Sequence, residues 1–441
     1  MKLIKFFLVL IMLSACSFDN KSGIWDNQNS LSNNKKNEFS DFKNLIIDGK
    51  QFDKIIEYKK NFRIFIDGPV GVTDWSDIYY DKSNNLNNFK YDDLNEIVGR
   101  SKKISRYNID DNFLLENNNI ILTDQKGNLI VYSLKKNTIE KKFNFYKKKF
   151  KNIKKKLNII IENGVIYVSD NIGFLYAYDY KKDLVIWAKN YKVPFRSNLK
   201  ISKNKLIASN QNNNLFFYDK KNGNILKMIP TEETIIKNKF INNISLINDN
   251  TFFLNTYGSL YSINNNNMKI IWFLNLNQSL DLNPSSLFFG SEVIIKDKKA
   301  VISTNKFLYV IDINTGSIQH KRNFSTKVKP IIAGDYLFLL SKNNLLINMN
   351  IKTGEVIYSY DINKKISDFL NIKKKEAEYK TIMIVNSKIF IFLKNSFVIK
   401  LSIEGEIENI FKLPSKMNSN PIFSNNEMIY VNNNNRINVI N

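Results

Sequence analysis

Cys16 is the only cysteine in 441 residues, and His320 is the only histidine. One thiol cannot form an intrachain disulfide, a CxxC redox pair or a cysteine-rich zinc site. One imidazole cannot build a multi-histidine metal centre. The remaining chemistry-bearing patterns are equally sparse. There is no GxGxxG or GxxxxGK[ST] phosphate loop and no GxSxG nucleophile elbow. Carboxylates are scattered, and none falls in a calcium-loop pattern. The densest charge is Lys147-Lys148-Lys149-Phe150-Lys151-Asn152-Ile153-Lys154-Lys155-Lys156. Such a run could meet an acidic surface, or it could be a solvated loop in a Lys-rich and Asn-rich chain of net charge +24. Hydrophobic residues are 43% and aromatics 13% of the chain, enough for a large core.

The lone cysteine acquires a chemistry from what precedes it. Residues 1–16 read MKLIKFFLVLIMLSAC. Lys2 and Lys5 form a basic start, and Phe6 to Leu13 form an apolar run. A spanning helix needs about 20 apolar residues, so this run is too short and fits a secretory h-region. Leu13-Ser14-Ala15-Cys16 resembles a bacterial lipobox. That signal implies cleavage before Cys16 and acylation of its thiol and new amino group; the alternative is a soluble signal peptide with a chance cysteine. Each buried acyl CH₂ contributes roughly 0.8 kcal/mol, so several chains anchor stably. Loss of Lys2 and Lys5 would lower the charge from +24 to +22. Ser17, where inner-membrane retention uses Asp, favours the outer membrane. A destination outside the cytoplasm argues against nucleic acid as a partner. Residues 17 to about 60, rich in Asn, Ser, Lys and Asp, read as a flexible tether. The run Phe62 to Ile66 follows it as a strand-like stretch.

From about residue 102 a unit recurs. An alternating apolar strand ends on Asp, Asn or Ser, a short turn follows, and a second strand leaves it. Leu175-Tyr176-Ala177-Tyr178-Asp179 and Leu308-Tyr309-Val310-Ile311-Asp312 are clear instances. The polar position recurs at 133, 179, 219, 264, 312, 350, 402 and 441, eight copies averaging 44 residues apart. Four short strands in that period make one propeller blade. Gly223, Gly316 and Gly354 lie four residues past the polar position, where a tight turn needs positive φ. Eight residues past it stand Trp187, Trp272, His320 and Tyr358. A ring at fixed phase reads most simply as a packing position between blades, so His320 reads as a copy of that column, with a lone catalytic or ligand histidine as the alternative. The last copy stops after its third strand. The alternating run Lys102 to Ile109 could supply the missing outer strand.

The Leu-Tyr-x-x-Asp-x-x-x-Gly-x-x-x-Trp core resembles the PQQ-like β-propeller repeat. Two classes share it: quinone-dependent dehydrogenases, and the BamB family of propeller lipoproteins of the outer-membrane β-barrel assembly machinery. The lipobox, the tether, eight copies, the truncated last copy and the stretch Gly71-Val72-Thr73-Asp74-Trp75 together look like the BamB family. In that family an apolar-x-apolar-Arg loop docks on the barrel-assembly subunit. Val193, Phe195 and Arg196 match it residue by residue, within Tyr191-Lys192-Val193-Pro194-Phe195-Arg196. The resemblance implies an exposed aromatic beside an arginine, held by Pro194. Val193 and Phe195 could equally begin the next blade's strand. The family's acidic pair in the following loop is replaced here by Lys237-Asn238-Lys239-Phe240-Ile241-Asn242.

The expected protein is therefore all-β: an eight-bladed β-propeller of PQQ-like repeats, its ring closed by pairing an N-terminal strand with the C-terminal blade. The expected organisation is a signal peptide at 1–15, acylated Cys16 and tether at 16–60, an extended segment at 61–101, and the propeller at 102–441. The resemblance implies a non-enzymatic scaffold without cofactor or metal, lipid-anchored in the outer membrane and facing the periplasm. It would bind the barrel-assembly subunit and aid insertion of outer-membrane proteins, with unfolded clients as further partners. A quinone-dependent dehydrogenase and a generic periplasmic adaptor are the alternatives.

Overall fold

The computed structural model describes residues 51–233, 240–277 and 288–441, together with the backbone of two short strands near the N-terminus. Those two, Ser17–Phe18 and Trp25–Asp26, form an antiparallel ladder in a unit of their own. Cys16 lies outside the described residues.

The unit from Lys50 to Asn441 is a ring of eight antiparallel sheets, the expected propeller. The innermost strands of blades 1 to 8 are Leu114–Glu116, Leu157–Glu162, Lys200–Ser202, Asn243–Ile247, Ile294–Lys296, Ile331–Ala333, Tyr379–Val385 and Ile422–Ser424. Each blade runs outward as a meander, so the connections between blades all leave from one end of the ring. The third strands are those carrying the recurring polar position. They are nearly continuous apolar runs, as in Leu308–Asp312, because neighbouring blades cover both faces. The outermost strands alternate, as in Lys269–Asn275, because one face meets solvent. Every blade carries a bulge between its third and fourth strands, for example at Ser262/Ile263 and Val310/Ile311. A bulge raises local twist and swings the outer strand around the rim.

The ring column works as a clasp between blades. Trp187 Nε1 donates to Lys220 O at 3.0 Å, and Trp272 Nε1 to Ile313 O at 2.9 Å. Tyr358 OH donates to Ile403 O at 3.0 Å. His320 Nε2 lies 2.9 Å from Lys352 O, so the lone histidine holds the same station. Each ring reaches the third-to-fourth-strand turn of the next blade. A Cβ added to Gly316, at φ +75°, would stand 2.7 Å from the Trp272 ring. Glycine there answers two demands, positive φ and a ring seated on its α-carbon.

The ring closes as expected, with a different strand. Ile97–Arg100 pairs with Ile437–Ile440, with Asn438 opposite Arg100 and Val439 opposite Gly99. The run Lys102 to Ile109 instead turns inward and buries Ile104 and Ile109. An outermost strand has an exposed face and little need of apolar residues, whereas those two isoleucines need a core. Pairing at the start also begins before the tether's expected end. Phe52 N donates to Asn323 O at 2.8 Å, and Ile56 bridges to Ser359 in blade 6's outer strand. Residues 62–66 form no ladder, although Phe62, Ile64 and Ile66 pack against the core.

Candidate functional face and channel mouth

Residues 72–92 thread the channel and make one circuit of it. Val72 O accepts from Asn425 N in blade 8 at 2.7 Å. Trp75 exchanges backbone bonds with Leu115 in blade 1, and Ser76 O accepts from Ile161 in blade 2. Asp77 takes Lys200 of blade 3 at 2.7 Å. Lys82 O and Ser83 O accept from Leu246 and Ile295, in blades 4 and 5. Asn85 pairs with the backbone of Ile332 in blade 6. Asn88–Phe89 then adds a parallel strand to blade 7. One segment thus touches all eight inner strands in ring order. A small aromatic core of Trp75, Tyr80 and Phe89 fills its centre, with Phe423 stacked on Phe89 at 5.8 Å.

This segment is the floor of a cavity of about 410 Å³ that opens at the end bearing the inter-blade connections. Trp75, Ile78, Tyr79 and Leu86 line its base, and Lys327, Lys380 and Lys394 stand among its walls. Lys329 Nζ donates to Asn84 O at 2.9 Å and lies 4.8 Å from the Tyr79 ring. Burial pushes its ammonium down to about 8. Tyr79 is driven far up by burial and by Glu292, the carboxylate it hydrogen-bonds.

Val193, Phe195 and Arg196 sit at the same end, in the connection from blade 2 to blade 3. Lys192 takes φ +65°, which turns the chain sharply after Asn190. Phe195 N then donates to Asp170 O at 2.9 Å, and Arg196 N to Ser209 O at 3.0 Å. These bonds fasten the loop to both neighbouring blades. Phe195 differs from the expected exposed aromatic. It is 3% exposed and packs edge-on to Tyr191 and Tyr218, at 5.9 and 6.2 Å. Its backbone bridges to Asn210, so the position begins the next blade's ladder while its ring fills the inter-blade core. Val193 and Arg196 are half-buried. Partial desolvation lowers the Arg196 guanidinium. Arg196 borders a groove of about 480 Å³ with Lys156, Asn158, Asn171, Gln211 and Ile241. In the following loop, Lys237 to Lys239 lie outside the described residues. Asn242 Nδ2 there donates to Ser209 Oγ and Asn210 O at 2.9 and 3.0 Å.

A second column, missed in the sequence, builds this end of the ring. Asp124, Asp170, Asn210, Asn255, Thr304, Ser341 and Asn432 each close the turn between second and third strands by accepting backbone N–H groups. Asp170 Oδ1 takes three, from Ile172, Gly173 and Phe174, each at 2.8 Å. The positions recur with the blade period and would have been visible in it. Residue type hid them, since Asp, Asn, Ser and Thr all perform the same turn closure.

Residues 151–360 match the family described as outer membrane protein assembly factor BamB. BamB from Moraxella catarrhalis superposes with a TM-score of 0.62 at 14% identity, covering 79% of this chain and 99% of that one. The quinohemoprotein alcohol dehydrogenase from Comamonas testosteroni gives 0.61 at 10% identity, over 83% and 80%. A europium-containing methanol dehydrogenase gives 0.60 at 10%, over 81% and 89%. No curated protein matches. At these identities the structural likenesses establish the fold alone.

The alternative of a quinone-dependent dehydrogenase poses a fit question at the channel mouth. A calcium-held quinone with a catalytic carboxylate asks for several acidic groups there. Among the described lining residues Glu292 is the one carboxylate, and Tyr79 already engages it. Among the described residues, no three His, Cys, Asp or Glu side chains gather as a metal-holding group. The described residues do not fit that cofactor.

Proposed function

We propose that this chain, a PQQ-like propeller of the BamB family, is a non-enzymatic scaffold lipoprotein of the outer-membrane assembly machinery. In this reading Cys16 is its acyl anchor, and the chain stands on the periplasmic side of the outer membrane. It binds the barrel-assembly subunit and aids insertion of β-barrel proteins, with unfolded clients as secondary partners. The observation that carries the reading is the family match over residues 151–360, which spans the loop bearing Val193 and Arg196. The architecture suits the task. A ring locked by its own N-terminal segment holds many loops rigidly at one end, and loops on a rigid frame carry recognition.

The contact would centre on Arg196, with Val193 beside it and Phe195 holding the loop from beneath. Arginine at the edge of a semi-enclosed groove suits a hot spot, because its planar fork binds carboxylates and its stem packs on apolar surface. The test is titration of the chain against the periplasmic region of the same organism's barrel-assembly subunit, with Arg196→Glu alongside. Saturable binding lost in the variant supports both scaffold and site. Binding retained in the variant keeps the scaffold and discards the site. No binding at low salt defeats the reading and favours an adaptor for another partner.

A further inference from the structure

Among the described residues, the connections between blades expose Tyr107, Ile153, Phe289, Phe369, Leu370 and Ile372. Three of these six come from one feature. Between blades 6 and 7 the chain forms the helix Ile362–Leu370. Asp361 caps it, accepting from Lys364 N at 3.0 Å, and Asn371 ends it at φ +52°. Ile362, Asn363 and Ser367 face the blades. Phe369, Leu370 and Ile372 project from the far end and are 48%, 42% and 53% exposed. Lys373, Lys374 and Lys375 follow at once.

Around this tip three lysines stand unpaired against one unpaired carboxylate, Asp368. Lys374 pairs with Asp361, and Lys365 with Glu406. Lys364, Lys373 and Lys375 have no carboxylate within pairing distance among the described residues. Of the nearby acids, Glu376 is held by Lys327 and Glu378 by Lys394, while Asp368 stays exposed on the helix. The connection from blade 1 to blade 2 repeats the pattern at the same end. Its Lys147, Lys148, Lys151 and Lys154 form no ion pair among the described residues, and Ile153 between them is 44% exposed.

We propose that these two connections dock on an anionic phospholipid surface. Phe369, Leu370 and Ile372 enter the interface, and the unpaired lysines meet headgroup phosphates. Long lysine stems follow an apolar insertion while their ammoniums stay at the polar layer. A convex apolar tip suits a fluid surface that deforms around it, whereas a protein partner must offer a matching pocket. Two basic projections from different blades are also satisfied together by one extended negative sheet.

The test uses the mature chain, residues 16–441, carrying Cys16→Ser, so that neither an acyl group nor the signal peptide contributes. It is sedimented with vesicles of phosphatidylcholine alone and of phosphatidylcholine mixed with phosphatidylglycerol. Binding to the mixed vesicles only, weakened by salt, is expected. Lys373→Gln with Lys375→Gln lowers that partition about twenty-five-fold, at about fivefold per lysine. Replacing Phe369, Leu370 and Ile372 together by Ser lowers it as well, with circular dichroism and melting unchanged. Phe369→Trp emission shifts to the blue on adding mixed vesicles. Equal partition of parent and both variants, or no Phe369→Trp shift, overturns the proposal. Retention on immobilised polyaspartate with no vesicle binding also overturns it, in favour of an acidic protein partner.

Discussion

Lys200 and Asp77 meet at 2.7 Å inside the channel, with side-chain exposures of 0% and 4%. They lie 123 residues apart in the chain. Lys200 also donates to Asp81 O at 3.0 Å, so the ammonium is held by the threading segment at two points. Burial lowers its proton affinity, and Asp77 opposes that shift. Removing one partner strands a charge in low dielectric, at a cost of about 3–5 kcal/mol. Asp77→Leu and Lys200→Met should each shift the urea midpoint down strongly. The double variant Asp77→Leu with Lys200→Met should recover most of the loss. Additive losses in that cycle would mean the two residues do not act as a pair.

The ring clasp predicts a different sensitivity. Trp272→Ala removes a large packing surface and the bond to Ile313 O, and should cost about 3 kcal/mol. Gly316→Ala forces a Cβ onto the same ring at positive φ, and should cost at least about 1 kcal/mol. Because both act at one contact, the pair of substitutions should cost less than their sum. Thermal melts of the four proteins decide it.

His320→Phe should be mild by comparison. It keeps a ring over Gly354 and loses only the bond to Lys352 O, a net effect of about 1 kcal/mol. Partner binding should not change, because His320 serves as a clasp between blades 5 and 6. A large loss of binding with an intact fold would restore a functional role to the lone imidazole.

Lys329 gives the stability a slope in alkaline solution. Glu292, Asp77 and Asp81 act to raise its proton affinity, Lys200 lowers it, and burial dominates, taking it from 10.5 to about 8. Between those values the unfolded chain holds a proton that the folded chain has released. The unfolded state binds more protons there, so this group adds stability as pH rises from about 8 toward 10.5. Below about 8 both states are protonated, and the folded state carries the full burial penalty. Lys329→Met should flatten that slope in urea titrations. An unchanged slope would show that the ammonium is effectively solvated.

Phe195 and Arg196 should separate fold from recognition. Phe195→Ala opens a cavity between blades 2 and 3 and should cost about 3–5 kcal/mol. Arg196→Glu should leave the melting temperature nearly unchanged while abolishing partner binding. If Phe195→Ala left stability intact, the ring would not be the support that its burial implies.

Much of this protein was legible in its sequence because a propeller repeats. Eight polar positions at the blade period, with turn glycines and a ring column at fixed phase, determine the meander, the blade count and the station of His320. Periodicity reads local pairing, since each blade is made of consecutive strands. It does not read pairings between distant segments. The choice of Ile97–Arg100 as the closing strand was decided by burial, because Ile104 and Ile109 in the rival run are needed in the core. The circuit of residues 72–92 was invisible for the same reason. It has no repeat of its own, and its polar groups find partners only where eight inner strands converge. Phe195 carries the sharpest lesson. Its motif matched residue by residue, but whether an aromatic in that loop faces a partner or the inter-blade core depends on Tyr191 and Tyr218, which only the tertiary structure brings beside it.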